Sequence, residues 1–206
     1  IKSYIPNAFR SACEYGHKDV AKVLLDHSCT NIDLNAKYFY GYTVIMLSCQ
    51  NGHKDVVNML LNHSAHNIDL NARATSGATP IMMACNNGHK DVVKLLLDHP
   101  DPKIDLNARD YHGQTAYMAA CYNGHKDVVE LLLEHADPNI ELNAIDFDGI
   151  TAFMLACRRG QTKVVKLLFD KVMLGLDIIV PDFELFQPGS GVYPSQVREQ
   201  HRRYQN

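Results

Sequence analysis

Eleven histidines, six cysteines and seven methionines are the side chains of this 206-residue sequence best suited to metal ligation or nucleophilic chemistry, and most of them keep a fixed spacing. His17, His53, His89 and His125 stand 36 residues apart, as do His27, His63, His99 and His135. Imidazole ladders invite a zinc reading. The spacing argues against it: members of one ladder fall in different packed layers, roughly 10 Å apart. The two ladders are also not joined by an H-x-x-x-H step on one helix face, so hydrogen bonding at helix ends is the expected role. Cys13, Cys49, Cys85, Cys121 and Cys157 follow the same 36-residue beat, with only Cys29 outside it. Cysteines one layer apart exceed the roughly 7 Å Cα separation that a disulfide tolerates. They are expected as small buried residues of a reducing, intracellular compartment, the cytoplasm, with the nucleus left open. Met46, Met82, Met118 and Met154 form a third series, expected as a core stripe. No G-x-x-x-x-G-K, G-x-S-x-G or H-E-x-x-H motif occurs, and no Cys–His pair has an orienting third residue at a suggestive spacing. No catalytic residue, metal site or cofactor is therefore assigned, and the chain is read as a non-enzyme. Asn62-His63-Ser64 fits a glycosylation sequon, but a reducing compartment argues against its use.

The elements that position these residues follow from the same period. "GHKDV" begins at Gly16, Gly52, Gly88 and Gly124, and a weaker "GQTKV" begins at Gly160, which makes five copies of one unit. Self-similarity at this length means stacked units, none of which buries its apolar face alone. Composition agrees with a folded chain, since 46% of residues are hydrophobic and 21% charged, with 12 Gly and 8 Pro. A formal charge of −3 supplies no basic field for phosphate backbones, which argues against nucleic acid. No apolar run approaches the roughly 18 residues that cross a bilayer, so no membrane span is expected. Ile1 in place of an initiator Met is expected to mark a piece of a longer chain.

Each unit resolves into two short helices and a turn. Thr43, Thr79, Thr115 and Thr151 stand before apolar runs such as "AFMLAC", where a hydroxyl caps the free amides of a first helix; Asn7 is expected to do the same in the first copy. Gly52 and its equivalents close that helix in the left-handed conformation, and "HKDVVNMLL" opens a second with Asp55 near its positive end. Val56, Val57, Met59, Leu60 and Leu61 give the second helix one buried face. Helices of about nine residues are marginal alone, so stacking must hold them. A hairpin-like connection, "NIDLNAKYFYGYT", leads to the next unit, with Gly41, Gly77, Gly113 and Gly149 where positive φ is expected. Phe9, Tyr117 and Phe153 occupy the slot of Ile45 and Ile81 and are expected in the core.

"GATPIMMACNNGHKDVVKLLL" and "GQTAYMAACYNGHKDVVELLL" resemble the ankyrin repeat family, whose pattern runs D-x-x-G-x-T-P-L-H-x-A-A-x-x-G-H-x-x-V-V-x-L-L-L followed by a loop ending in x-N-A. The resemblance covers about residues 1–182. It implies an all-α solenoid of helix-turn-helix units with hairpin-like connecting loops. Repeats are placed at 1–37, 38–73, 74–109, 110–145 and 146–181, with a degraded end at 182–187 and a linker and tail at 188–206. Two departures stand out. The family's usual period is 33, and the three extra residues are placed between Leu61 and Asn71 and their equivalents. The family's His in T-P-L-H is replaced by Met46, Met82, Met118 and Met154.

Function must lie in what differs between copies, because unchanged residues answer a demand shared by every layer. The resemblance implies a protein-binding scaffold whose partners lie against a concave face of hairpin tips and exposed first-helix positions. Carried onto this sequence, the tips place Phe39, Tyr40, Tyr42, Tyr111, His112, Gln114, Phe147, Asp148 and Ile150 there. The first helices place Tyr15, Asn51, Asn87, Tyr122, Asn123, Arg158 and Arg159 there. Aromatic and arginine side chains dominate binding hot spots because they bury large area and keep a polar handle. The competing account is that the tip aromatics cover the neighbouring hairpin. The expected partner is another protein or peptide segment, and the chain is expected to be a monomer. Two other functions stay open: a targeting module of a larger enzyme, and nucleic-acid binding through the aromatics and Arg158/Arg159.

The last residues, "VYPSQVREQHRRYQN" from Val192, bear no relation to the repeats and follow "PGSG". A disordered tail, a cap docked on the last repeat, and a partner-derived peptide on a spacer all remain open. Extended, the segment from Pro188 reaches about 60 Å, enough to fold back along a stack of roughly 50 Å, so residues 192–206 are themselves a candidate occupant of the groove.

Overall fold

The computed structural model describes residues 4–27, 32–63, 68–100, 104–135 and 140–180. Ten α-helices are present among them and no strand, beyond an isolated bridge between Ile145 and Thr151. They form five pairs: α1 (Ile5–Glu14) with α2 (Lys18–Asp26), α3 (Val44–Gln50) with α4 (Lys54–Leu61), α5 (Pro80–Asn86) with α6 (Lys90–Leu97), α7 (Ala116–Asn123) with α8 (Lys126–Glu134), and α9 (Ala152–Arg158) with α10 (Thr162–Met173). The odd-numbered helices stack on one another as one row and the even-numbered as a second, with the pairs bridging the rows.

The core is continuous between these rows because every copy contributes the same inward positions. Phe9, Ile45, Ile81, Tyr117 and Phe153 are all buried at one slot, and Val56, Val92, Val128 and Val164 at another. Phe153 meets Phe169 of α10 edge to face, with ring centroids 5.2 Å apart. Only the first copy departs. Val20, equivalent to Val56, is 54% exposed, because no layer among the described residues stands in front of it.

The turn glycines adopt positive φ at both expected places, 74° at Gly52 and 81° at Gly77 for example. At Gly52 a second demand is added. A Cβ there would lie 2.5 Å from the His89 ring of the next copy, so glycine is required by conformation and by approach.

Helix starts differ from the threonine rule in two ways. Thr115 and Thr151 accept from the Met118 and Met154 amides through their hydroxyls; at Thr43 and Thr79 the buried hydroxyl faces the Met46 and Met82 amide in a capping box but falls short of hydrogen-bond geometry. There the methionine substitutes. The Thr43 and Thr79 amides donate to the sulfurs of Met46 and Met82, each at 3.4 Å, and Thr151 does so to Met154 at 3.5 Å. The methionine stripe is therefore buried, as expected, and Met46, Met82 and Met154 also accept hydrogen bonds where the family pattern has His. Asn7 does not cap α1. That helix begins at Ile5, aided by Pro6 in its first turn, so Asn7 is already inside it.

The described cysteines are free thiols, four of them buried. Burial pushes Cys13 up to about 12 and the thiols of Cys49, Cys85 and Cys121 higher still. Part of each span in which the three extra residues are placed (64–67, 101–103 and 136–139), the end at 182–187 and the tail at 188–206 lie outside the described residues.

Candidate functional site

Hydrogen bonds between copies place the surface side chains. His53, His89 and His125 hold the carbonyls of Glu14, Gln50 and Asn86 through Nε2 at 2.8, 3.0 and 2.9 Å, and Gln161 donates to Tyr122 in the same way. Each bond ties the start of a second helix to the end of the previous copy's first helix. In the other histidine ladder His63 and His135 lie 3.4 and 2.9 Å from the carboxylates of Asp26 and Asp98.

The connecting segments are stitched by residues that sequence reasoning passed over. Asn35, Asn71 and Asn107 accept the amides of Asp69, Asp105 and Glu141 through Oδ1, and Asn143 that of Ile179. Lys37, Arg73 and Arg109 donate to the carbonyls of Arg73, Arg109 and Ile145, one period on. The signal was present in the repeated "NA", followed by a basic residue at Lys37, Arg73 and Arg109 and by Ile145 in the last copy, which carries no chemistry until the copies are stacked.

At the tips a backbone ladder runs from copy to copy. Thr75 donates to the Tyr40 carbonyl at 2.8 Å, Tyr111 to Ser76 at 2.9 Å and Phe147 to His112 at 3.0 Å. Asp110 and Asp146 brace the third and fourth of these tips through bonds to their own backbone amides. Desolvation raises the Asp146 carboxyl despite those bonds. The first tip, at Phe39–Gly41, is a single 3-10 turn in which Tyr40 has φ 58°, the sole non-glycine positive φ among the described residues.

The tip aromatics separate into two kinds. Phe39 and Tyr40 are 88% and 77% exposed. Tyr111 and Phe147 are 67% and 63% exposed, yet their rings rest on the preceding tip, where a Cβ on Gly77 or Gly113 would meet them at 2.9 or 2.8 Å. Tyr42 turns inward, packing with Ala78 on the small cluster of Met46, Ala72, Ala74 and Met83. Gln114 and Ile150 are half-buried rather than open, and His112 and Asp148 are exposed.

Between tips and first helices lies a cavity of about 220 Å³, its lining including Tyr42, Gln50, Met83, Asn86, Asn87 and Gln114. Three of the sequence-derived positions, Tyr42, Asn87 and Gln114, thus meet around one space. The asparagines have a second role at helix ends: Asn51, Asn87 and Asn123 donate to the carbonyls of Leu47, Met83 and Ala119, four residues back. Tyr15 is exposed at the first copy's helix end. At the opposite end the Arg159 guanidinium lies 4.5 Å over the Tyr122 ring, and Arg158 is exposed beside it.

A two-row stack of near-identical helix pairs joined by laddered hairpins defines a helical solenoid of the repeat-protein class. The chain belongs to the ankyrin repeat family: a profile of three ankyrin repeats matches residues 6–74 and 66–146, and a single ankyrin repeat profile matches residues 148–172. Comparison with curated proteins returns no match. Ankyrin repeats are in general protein–protein interaction modules, typically non-catalytic. No described helix is long and apolar enough to cross a membrane.

Proposed function

We propose that this chain is a non-catalytic scaffold that binds a segment of another protein in the groove between its hairpin tips and first helices. One observation carries the reading. Tyr42, Gln50 and Gln114 stand at positions that vary from copy to copy, yet they line one cavity, together with Asn87 and the recurring Met82 and Thr115. A groove with an apolar floor of methionine and a rim of amides, tyrosine and the Asp110 carboxylate suits an extended segment, whose peptide groups need hydrogen-bond partners and whose side chains need pockets. The exposed Phe39 and Tyr40 extend that surface at the first tip.

The test is site-specific. A photo-crosslinking residue at Tyr111 or Tyr42 reaches the partner, and one at the exposed Lys94 of the second row does not. The Phe39→Ala/Tyr42→Ala/Tyr111→Ala variant recovers the same partner at least tenfold less well while its circular dichroism stays native. Equal recovery by the folded variant, or crosslinks from Lys94 alone, refutes the groove.

A further inference from the structure

Three of the five arginines among the described residues are committed within the array. Arg10 pairs with Glu14, Arg73 donates to the Arg109 carbonyl, and Arg109 bonds the Gly113 and Ile145 carbonyls and Glu141. Arg158 and Arg159 make no hydrogen bond or salt bridge among the described residues. They occupy the place held by Gln50-Asn51, Asn86-Asn87 and Tyr122-Asn123 in the copies before. In those copies the second residue is an asparagine whose amide closes the helix end; Arg159 gives up that bond.

A cation at a helix C-terminus is favoured by the helix dipole, but the dipole is the same at α3, α5 and α7, where no arginine stands. The Arg159 guanidinium instead lies over the Tyr122 ring while the residue stays exposed to solvent. Arg159, stacked on Tyr122, and Arg158, whose charge also bears on Asp146, place two exposed guanidiniums at the fifth-copy end of the first-helix row, where a carboxylate can be held.

We infer that the fifth-copy end of the groove, at Arg158, Arg159 and Tyr122, receives Asp or Glu side chains of the bound protein segment. This rests on the groove reading above and adds the segment's charge and orientation: its acidic end lies over α9 and its neutral part over α5. A nucleic acid fits less well. Two arginines neutralise too few phosphates for a chain of −3 overall.

The probe is a fluorescein-labelled (Glu-Gly)4 peptide read by anisotropy, beside (Gln-Gly)4 and a 12-residue oligothymidylate. The acidic peptide is expected to bind saturably and to weaken with added salt. Arg158→Gln/Arg159→Gln lowers that affinity about tenfold, Arg159→Lys by less, and Lys54→Gln on α4 leaves it unchanged. Equal affinity for (Gln-Gly)4, unchanged binding by the folded double variant, or tighter binding of the oligothymidylate overturns the inference. If the peptide fails while crosslinks from Tyr111 persist, the groove stands and its acidic preference falls. If the peptide binds through the arginine pair while those crosslinks are lost, the carboxylate site stands without the groove.

Discussion

The imidazole of His89 sits 3.0 Å from the carbonyl oxygen of Gln50, 39 residues earlier, and fills the space where a side chain on Gly52 would stand. One contact therefore joins two copies and dictates the residue type at a third position. Gly160, in the last copy, has the same left-handed backbone, φ 68°, with nothing within 4 Å of a built Cβ. Gly160→Ala is expected to cost about 1 kcal/mol, the strain of the backbone alone. Gly52→Ala adds overlap with the ring and is expected to cost about 2–4 kcal/mol. Urea denaturation of both variants separates the terms, and Gly52→Ala in a His89→Ala background loses the excess. Equal costs at the two glycines would show that the ring simply moves away.

The methionine sulfurs offer a second comparison. Met82 accepts the Thr79 amide, whereas at the fourth copy the Thr115 hydroxyl takes the Met118 amide and that sulfur makes no such bond. Met→Leu is nearly neutral in volume, so its cost reports the sulfur's hydrogen bond. Met82→Leu is expected to destabilise by about 0.5–1 kcal/mol more than Met118→Leu. Identical unfolding midpoints would reduce the methionines to packing.

Alkaline pH tests the buried thiols. Cys13, Cys49, Cys85 and Cys121 have folded-state values raised above the ordinary 9.0, so above that pH the unfolded chain releases protons that the folded chain keeps. Stability is then full below about pH 9 and falls as pH rises, by on the order of 1.4 kcal/mol per pH unit for each thiol. Urea midpoints at pH 8 and pH 10 should differ less in Cys85→Ala than in the parent, by one thiol's share. An equal pH dependence would place Cys85 in contact with solvent.

The tip aromatics should divide by stability as well as by binding. Phe39→Ser removes a ring that is almost wholly solvated and is expected to change stability by less than about 0.5 kcal/mol. Phe147→Ser uncovers Gly113 and is expected to cost about 1 kcal/mol. Thermal melts decide between them; equal losses would mean that Phe39 also packs, and would weaken its place in the groove.

Much of the fold was legible because a 36-residue beat repeats each demand five times. Gly41 and Gly52 with their equivalents, the buried slot of Phe9, Tyr117 and Phe153, and the helix-end role of His53, His89 and His125 all follow from periodicity and local backbone rules. Asn7 was misread because a Pro in the first turn can start a helix without a side-chain cap, and the first copy has no threonine to mark the start. The surface was less legible. Asn51, Asn87 and Asn123 look like free amides in the sequence, yet helix geometry turns each toward a carbonyl four residues back.

The order of the elements, their turns and their apolar faces are thus written in the chain, since each depends on neighbours within a few residues and on a pattern that recurs. Which variable side chains share a space depends on contacts 34 to 39 residues apart, made when one copy lies against the next. Tyr42, Asn87 and Gln114 come from three different copies and meet around one cavity. Arg159 finds Tyr122 across a layer boundary, while Phe147 leans back on Gly113. Stacking decides those meetings, because the rise and rotation between layers bring together side chains whose separation along the chain carries no local signal.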